Sequence, residues 1–133
     1  MNYPSADDAL LRGFRVMVVE DDFLIADDFS RRLLSLGATV IGPAATLDGA
    51  HALYERTPDI DAAVLDINLR GSLIFPFAHR LEAEGVPFVF CTGYGEDPIS
   101  ECLRHVTRFE KPLSHQGFAA MAALIAGLGR RAV

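Results

Sequence analysis

Five short apolar runs alternate with five helical patterns along this chain, and this alternation restricts the fold more than any other feature. The predicted strands are 15–19, 39–41, 60–66, 87–91 and 106–110, and the predicted helices are 23–36, 46–56, 73–84, 97–104 and 114–128. Consecutive parallel strands need right-handed crossovers, and the crossing helices must cover the sheet. The pattern therefore predicts an α/β fold, a doubly wound five-stranded parallel sheet with helices on both faces.

Helix boundaries are signalled by individual residues. Gly37 is placed to stop the first helix, Thr46 or Asp48 to cap the second, and Ser114 to cap the last. Pro76 is tolerated because it falls in the first turn of the third helix, after a loop at 67–72 that contains a candidate cap. A chain of 133 residues favours one domain. We divide it into a leader (1–14), the domain (15–129) and a short tail (130–133).

Charge and hydropathy exclude several classes of function. The net charge is −6 and Arg130-Arg131 is the one basic pair near the end, which disfavours nucleic-acid binding. No apolar run approaches the roughly 18 residues of a membrane span. The first residues carry Asp7 and Asp8 and lack the pattern of a secretory signal. We expect a cytoplasmic protein whose partner is another protein.

Polar side chains follow four of the five predicted strands at their carboxyl ends. They are Glu20, Asp21 and Asp22 after the first strand, Asp66 after the third, Thr92 after the fourth and Lys111 after the fifth. Open parallel sheets bind ligands outside the carboxyl ends of their strands. The sequence therefore predicts one site that contains acids, a hydroxyl and an ammonium group.

Crowded carboxylates repel one another, and a hard divalent cation such as Mg²⁺ removes that cost. Asp66 is then placed to act as a nucleophile toward a phosphoryl group, with Lys111 neutralising phosphoryl oxygens and Thr92 donating a hydrogen bond. Simpler interpretations stay open for single residues: acids at a helix N-terminus, a turn-forming hydroxyl and a surface lysine.

The acid pair Glu20-Asp21, Asp66 after Val64-Leu65, Thr92 after a buried strand, and Lys111-Pro112 resemble the receiver domain of two-component response regulators over roughly 15–128. The resemblance implies a flavodoxin-like fold with strand order 2-1-3-4-5. It implies that Asp66 is the phosphoacceptor and that Glu20, Asp21, Asp66 and the backbone carbonyl of Asn68 hold Mg²⁺, with Asp22 outside the metal's ligands. A receiver accepts its phosphoryl group from a histidine kinase or a histidine phosphotransfer protein, and is a signalling protein, not an enzyme.

The run 90–95, Phe-Cys-Thr-Gly-Tyr-Gly, also resembles the signature of the FATGUY regulators, which are often stand-alone receivers, some of them linked to stress response. The usual receiver has an aromatic switch residue three positions before the lysine, and here that position is Arg108. Tyr94 is an alternative switch residue, acting with Thr92, or else an exposed loop aromatic.

Rival functions are also compatible with the fold. Phosphatases with an aspartyl phosphate carry a second Asp two residues after the nucleophile, where this chain has Asn68. A phosphorylation-independent binding module would not need the acids, Thr92 and Lys111 together. A flavin carrier of this fold would need a Ser/Thr-rich phosphate loop after the first strand. We expect a monomer or a weak homodimer.

Overall fold

The computed structural model describes residues 10–93 and 101–128, which form a five-stranded sheet between helices and a small two-stranded sheet. Its elements are β1 (Arg15–Val19), α1 (Phe23–Ser35), β2 (Thr39–Ala44), α2 (Leu47–Glu55), β3 (Ala62–Leu65), β4 (Asn68–Leu69), β5 (Ser72–Leu73), α3 (Phe75–Ala83), β6 (Phe88–Thr92), a 3₁₀ turn (Glu101–Leu103), β7 (Arg108–Glu110) and α4 (His115–Leu128). Among these elements, no helix is long and apolar enough to cross a membrane.

Five strands form the main sheet in the order β2-β1-β3-β6-β7, and every neighbouring pair is parallel. This is the predicted order, because β6 and β7 are the fourth and fifth strands of the sequence pattern. The doubly wound fold is confirmed.

Alternate strand residues point to opposite faces and divide the core into two layers. Met17 and Val19 of β1 pack with Phe77 of α3 and Ala50 of α2. Val16 and Val18 face the other way and pack with side chains of α1 and α4: Phe29, Leu33, Phe118, Met121, Ala122 and Ile125. Helices therefore cover both faces, which explains why the central strand β3 is buried and apolar throughout.

Residues before the first strand also contribute to the core. Leu11 is fully buried in the layer formed by α1 and α4, and its backbone N–H donates to the carbonyl of Leu36. The packed structure thus extends into the segment that the sequence marked as a leader. Residues 1–9 lie outside the described part of the chain.

Three helices are capped by side chains. Asp22 accepts from the N–H of Ile25 at 3.1 Å, Thr46 from Gly49 at 2.9 Å and Ser114 from Gly117 at 2.9 Å. The choice between Thr46 and Asp48 at the second helix is therefore settled in favour of Thr46. Each cap satisfies a backbone donor that the helix itself leaves unpaired.

The segment at 67–72 differs from the prediction of a loop with a cap for the third helix. It forms a small antiparallel hairpin, in which Asn68 pairs with Leu73 and Leu69 with Ser72. Arg70 and Gly71 both have positive φ, 53° and 94°, which is the geometry of a two-residue hairpin turn. Ser72 therefore belongs to β5, and α3 begins at Phe75 without a side-chain cap and with a proline in its first turn.

The region around the predicted fourth helix is only partly described. Its expected start at Asp97-Pro98 lies outside the described residues, and its end is the 3₁₀ turn Glu101–Leu103. The N–H of Val106 bonds to the carbonyl of Leu103, so the chain is still turning there. The last strand consequently starts at Arg108, two residues later than predicted.

Candidate functional site

The carboxyl ends of the central strands bring the predicted polar residues together. Val19 and Leu65 are paired across β1 and β3, so the residues that follow them, Glu20 and Asp66, emerge side by side. The N–H of Asp66 donates to the carbonyl of Val19 at 2.9 Å, which fixes this arrangement.

Thr92 and Lys111 lie at the ends of the next two strands. Thr92 is the last residue of β6, fully buried, and its carbonyl accepts from the N–H of Lys111 at 2.7 Å. Across the two described ranges, the buried polar side chains are those of Glu20, Asp66 and Thr92. All three stand at the same edge of the sheet.

Three carboxylates form a group that we name the acid cluster: Glu20, Asp21 and Asp66. Each offers one oxygen, and these oxygens all lie within 4.8 Å of one another. Asp22 has a different position, because its carboxylate caps α1 while its N–H donates to Glu20 Oε2 at 3.1 Å. That Asp22 lies outside the metal's ligands stays a prediction.

Lys111 is held inside the site by two members of the acid cluster. Its Nζ lies 2.7 Å from Glu20 Oε1 and 3.3 Å from Asp66 Oδ2, and its side chain is 9% exposed. Burial alone would lower the pKa of Lys111. The hydrogen bond and charge of Glu20, followed by those of Asp66, outweigh burial and raise the pKa, so the ammonium form is maintained.

Asp66 is in the opposite situation. Burial, reinforced by the negative charge of Glu20, raises its pKa to about 7, against the lowering effect of Lys111. Without a further cation, this carboxyl group is therefore only partly ionised at neutral pH. A divalent ion shared with Glu20 and Asp21 would restore its charge, so the chemistry and spacing of the acid cluster fit an Mg²⁺ ion.

One member of the site was not found from the sequence. Arg70, at the tip of the β4–β5 hairpin, contacts Asp21 through Nε at 3.4 Å from Oδ2. Gly71 was the available signal, because glycine readily takes the positive φ that a two-residue turn requires, although arginine is not favoured at the first position of such a turn. Nothing in the sequence pattern indicated which strand end the turn would approach.

The remaining predicted site residues are less fully placed. The side chain of Asn68 accepts a hydrogen bond from the N–H of Gly71 at 2.7 Å. The backbone nitrogen of Asn68 lies 3.4 Å from Asp66 Oδ1. Arg108 pairs with Phe90 across β6 and β7, and Phe109 packs in the layer with α1 and α4. Tyr94 lies outside the described residues.

A cavity of about 510 Å³ opens beside the acid cluster, between α1 and the segment that follows β7. Asp21, Ile25, Arg32 and Leu113 are among the residues that line it. Phe23 and Leu24 at the start of α1 are 78% and 76% exposed. An apolar surface thus adjoins the charged site.

No protein-family model matches the chain, and no curated protein matches it. Solved structures do. The solution structure of SdrG from Sphingomonas melonis Fr1 is 37% identical, with a TM-score of 0.74, and the match covers 85% of this chain and 95% of SdrG. The chain belongs to the response regulator receiver family.

Two further receivers place the match in a wider set. The receiver domain of HemR from Leptospira biflexa is 26% identical at a TM-score of 0.73, over 90% of this chain and 99% of that one. The response regulator PhyR from Brucella abortus is 28% identical at a TM-score of 0.68, over 90% of this chain and 50% of PhyR. The predicted receiver family is confirmed, while the FATGUY subgroup stays a prediction.

Proposed function

We propose that this receiver accepts a phosphoryl group on Asp66 from a phosphohistidine of a histidine kinase or phosphotransfer protein, and that this changes its affinity for a protein partner. It acts as a signalling phosphoacceptor and not as an enzyme on other substrates. The observation that carries the proposal is the contact of Lys111 Nζ with Asp66 Oδ2 at 3.3 Å inside a buried acid cluster. A purely structural carboxylate would have no use for this crowding, which costs stability.

In the transfer step, an Asp66 carboxylate oxygen attacks phosphorus, and an O–P bond forms as the N–P bond of the donor breaks. The electron pair of the broken bond stays on the imidazole nitrogen, which leaves as histidine. Lys111 is close enough to Asp66 to neutralise charge on the transferred oxygens, and Thr92 at the end of β6 supplies a hydroxyl.

The acid cluster and the backbone carbonyl of Asn68 would hold Mg²⁺, which supplies charge neutralisation to the phosphoryl oxygens when bound. The residues of the chain then have separate tasks: Asp66 forms the bond, Glu20 and Asp21 hold the ion, and Lys111 faces the phosphoryl group. An aspartyl phosphate at this position adds negative charge beside Thr92, and we propose that Thr92 passes the change to Tyr94 and Arg108.

A protein donor needs a surface beside the site. Phe23 and Leu24 are exposed apolar side chains directly after the three acids that follow β1, and the neighbouring cavity opens onto Asp21. Exposed apolar groups rimmed by polar ones are typical of protein contact sites. SdrG is known in a BeF3-activated conformation, a structure to which this chain is 40% identical, and this likeness supports a phosphorylation-dependent response.

The test is phosphorylation by a small acyl phosphate with Mg²⁺, followed by intact-mass measurement. The wild type should gain one phosphoryl group, and Asp66→Asn or a chelator should abolish the gain. Asp22→Asn is the matched control, because asparagine still caps α1 and Asp22 is outside the acid cluster. It should be phosphorylated like the wild type.

A wild type that gains no phosphoryl group, or an Asp66→Asn variant that gains as much, would refute the proposal. The first of these results would favour the rival, a binding module that works without phosphorylation. Lys111→Ala should still bind Mg²⁺, yet its partner affinity should no longer respond to phosphorylation. A response of normal size in that variant would remove Lys111 from the switch.

A further inference from the structure

We infer that Arg70 competes with the divalent ion for Asp21 and thereby sets the metal affinity of the site. The inference rests on the proposed metal-dependent function and concerns a residue to which the receiver pattern of the sequence gave no role. It makes Arg70 a positioning residue, since it acts on Asp21 and not on the phosphoryl group.

The β4–β5 hairpin fixes the backbone position of Arg70. Leu69 is buried, the Asn68 side chain accepts from the N–H of Gly71 at 2.7 Å, and the N–H of Ile74 bonds to the carbonyl of Ile67 at 2.8 Å. Arg70 itself has φ of 53°, as the turn requires. The backbone that presents the guanidinium is therefore ordered by contacts that do not involve the arginine side chain.

The guanidinium contacts Asp21 at two points. Nε lies 3.4 Å from Oδ2, and Nη2 donates to the backbone carbonyl of Asp21 at 3.4 Å. The Asp21 side chain is 17% exposed, whereas that of Arg70 is 80% exposed. A contact of this kind is weak and open to water, so it can exchange with another cation.

Charge pairing in the acid cluster shows what must exchange. Lys111 forms ion pairs with Glu20 and Asp66, and Arg70 forms one with Asp21. Each of the three carboxylates therefore already has a cation beside it. An ion that binds all three carboxylates would use an oxygen of Asp21, the carboxylate beside Arg70, and its positive charge would repel the guanidinium. Release of Arg70 is therefore part of metal binding, and its cost lowers the affinity.

The first experiment is a metal titration without any phosphodonor, using MgCl₂ at low ionic strength and backbone amide resonances as the readout. Arg70→Gln should raise the Mg²⁺ affinity about two- to fivefold, the range expected for one exposed ion pair. Arg31→Gln is the matched control, because Arg31 is 77% exposed and pairs with Asp27 on α1, away from the acid cluster. It should leave the affinity unchanged.

The second readout follows the arginines directly. In the wild type, the side-chain Nε–H resonance of Arg70 should shift with the same half-saturation as the acid cluster, while that of Arg31 stays constant. Arg70→Lys, which keeps the charge, should bind Mg²⁺ with an affinity below that of Arg70→Gln. Raising the salt concentration should narrow the difference between wild type and Arg70→Gln.

The outcomes separate this inference from the proposed function. Three results would each overturn the role of Arg70 alone. They are equal Mg²⁺ affinities in the wild type and Arg70→Gln, an equal gain of affinity in Arg31→Gln, and an Arg70 resonance that does not shift when Mg²⁺ is added. A wild type that binds Mg²⁺ but is not phosphorylated would overturn the proposed function alone. A wild type without any Mg²⁺ binding would overturn both.

Discussion

Lys111 and Arg70 both lie against the acid cluster, yet they occupy opposite electrostatic environments. Lys111 is 9% exposed and contacts Glu20 at 2.7 Å and Asp66 at 3.3 Å, whereas Arg70 is 80% exposed and lies 3.4 Å from Asp21. Lys111 directly follows a strand of the main sheet, β7, whereas Arg70 lies in a two-residue turn. The inside of the site is therefore held by a buried pair, and its rim by a solvated one.

The difference teaches which part of the site can change without cost. Breaking a buried pair leaves a desolvated charge, whereas breaking an exposed pair returns both groups to water. The buried contacts of Lys111 are thus suited to hold the geometry of the site. The exposed contact of Arg70 with Asp21 is suited to exchange with another cation. Four predictions test this division, in order of expected effect.

The largest effect should come from Asp66→Asn in metal-free buffer. The pKa of Asp66 is raised from 3.8 to about 7 by burial and by Glu20, so the folded state binds this proton more tightly than the unfolded state. The resulting stability is present below pH 4 and is lost as the pH rises to about 7. The variant should be more stable than the wild type by about 4 kcal/mol above pH 7, with little difference near pH 4.

Urea unfolding at several pH values measures this difference. Mg²⁺ at saturating concentration should reduce the gap at high pH, because it stabilises the ionised form in the wild type. A gap that is independent of pH would show that Asp66 is not desolvated as the geometry indicates.

The second effect concerns the inner cation. Lys111→Ala removes the partner of two buried carboxylates, and we expect a loss of about 3 kcal/mol in the free energy of unfolding at pH 8 without metal. Chemical denaturation monitored by circular dichroism gives the value. A loss below about 1 kcal/mol would mean that Lys111 behaves like a surface residue.

The third effect uses the fact that Lys111 is the one lysine of the chain. Burial and a raised pKa should both slow its reaction with an amine-selective reagent, by at least about tenfold relative to the protein in urea. Peptide mass mapping separates it from the amino terminus, which serves as the internal reference. Labelling at the same rate in both states would contradict the buried pair.

The smallest effect should be that of Arg70→Gln on stability. An exposed pair contributes little, so the free energy of unfolding should change by less than about 0.5 kcal/mol, measured beside Arg31→Gln in the same buffer. A loss comparable to that of Lys111→Ala would remove the distinction between the inner and outer cations.

Much of the inner site could be predicted from the sequence, and the physical reason is the sheet. Parallel strands deliver their carboxyl ends to one edge, so Asp66, Thr92 and Lys111 could be placed together from strand ends alone. The caps Thr46 and Ser114 could also be predicted from the sequence, because their hydroxyls accept hydrogen bonds from backbone N–H groups only three residues away.

The rim could not be predicted in the same way. Two-residue strands have no periodicity, so the hairpin at 68–73 looked like a loop. The contact of Arg70 with Asp21 spans 49 residues and depends on where the turn points. The proposed relay through Tyr94 and Arg108 includes a residue, Tyr94, that lies outside the described ranges. Sequence patterns within a single helix or strand carry no information about the Arg70–Asp21 contact or about the relay.

The three consecutive acids should differ in their tolerance to substitution, because Asp22 caps a helix whereas Glu20 and Asp21 belong to the acid cluster. The side chain of Asp22 needs only to accept a hydrogen bond from the N–H of Ile25, and its N–H reaches Glu20 whatever the side chain is. Serine, threonine or asparagine would therefore serve at position 22. Glu20 and Asp21 have no such substitutes, since a neutral oxygen would not supply the charge of the acid cluster. In a library of variants, position 22 should accept several residue types while its two neighbours remain fixed.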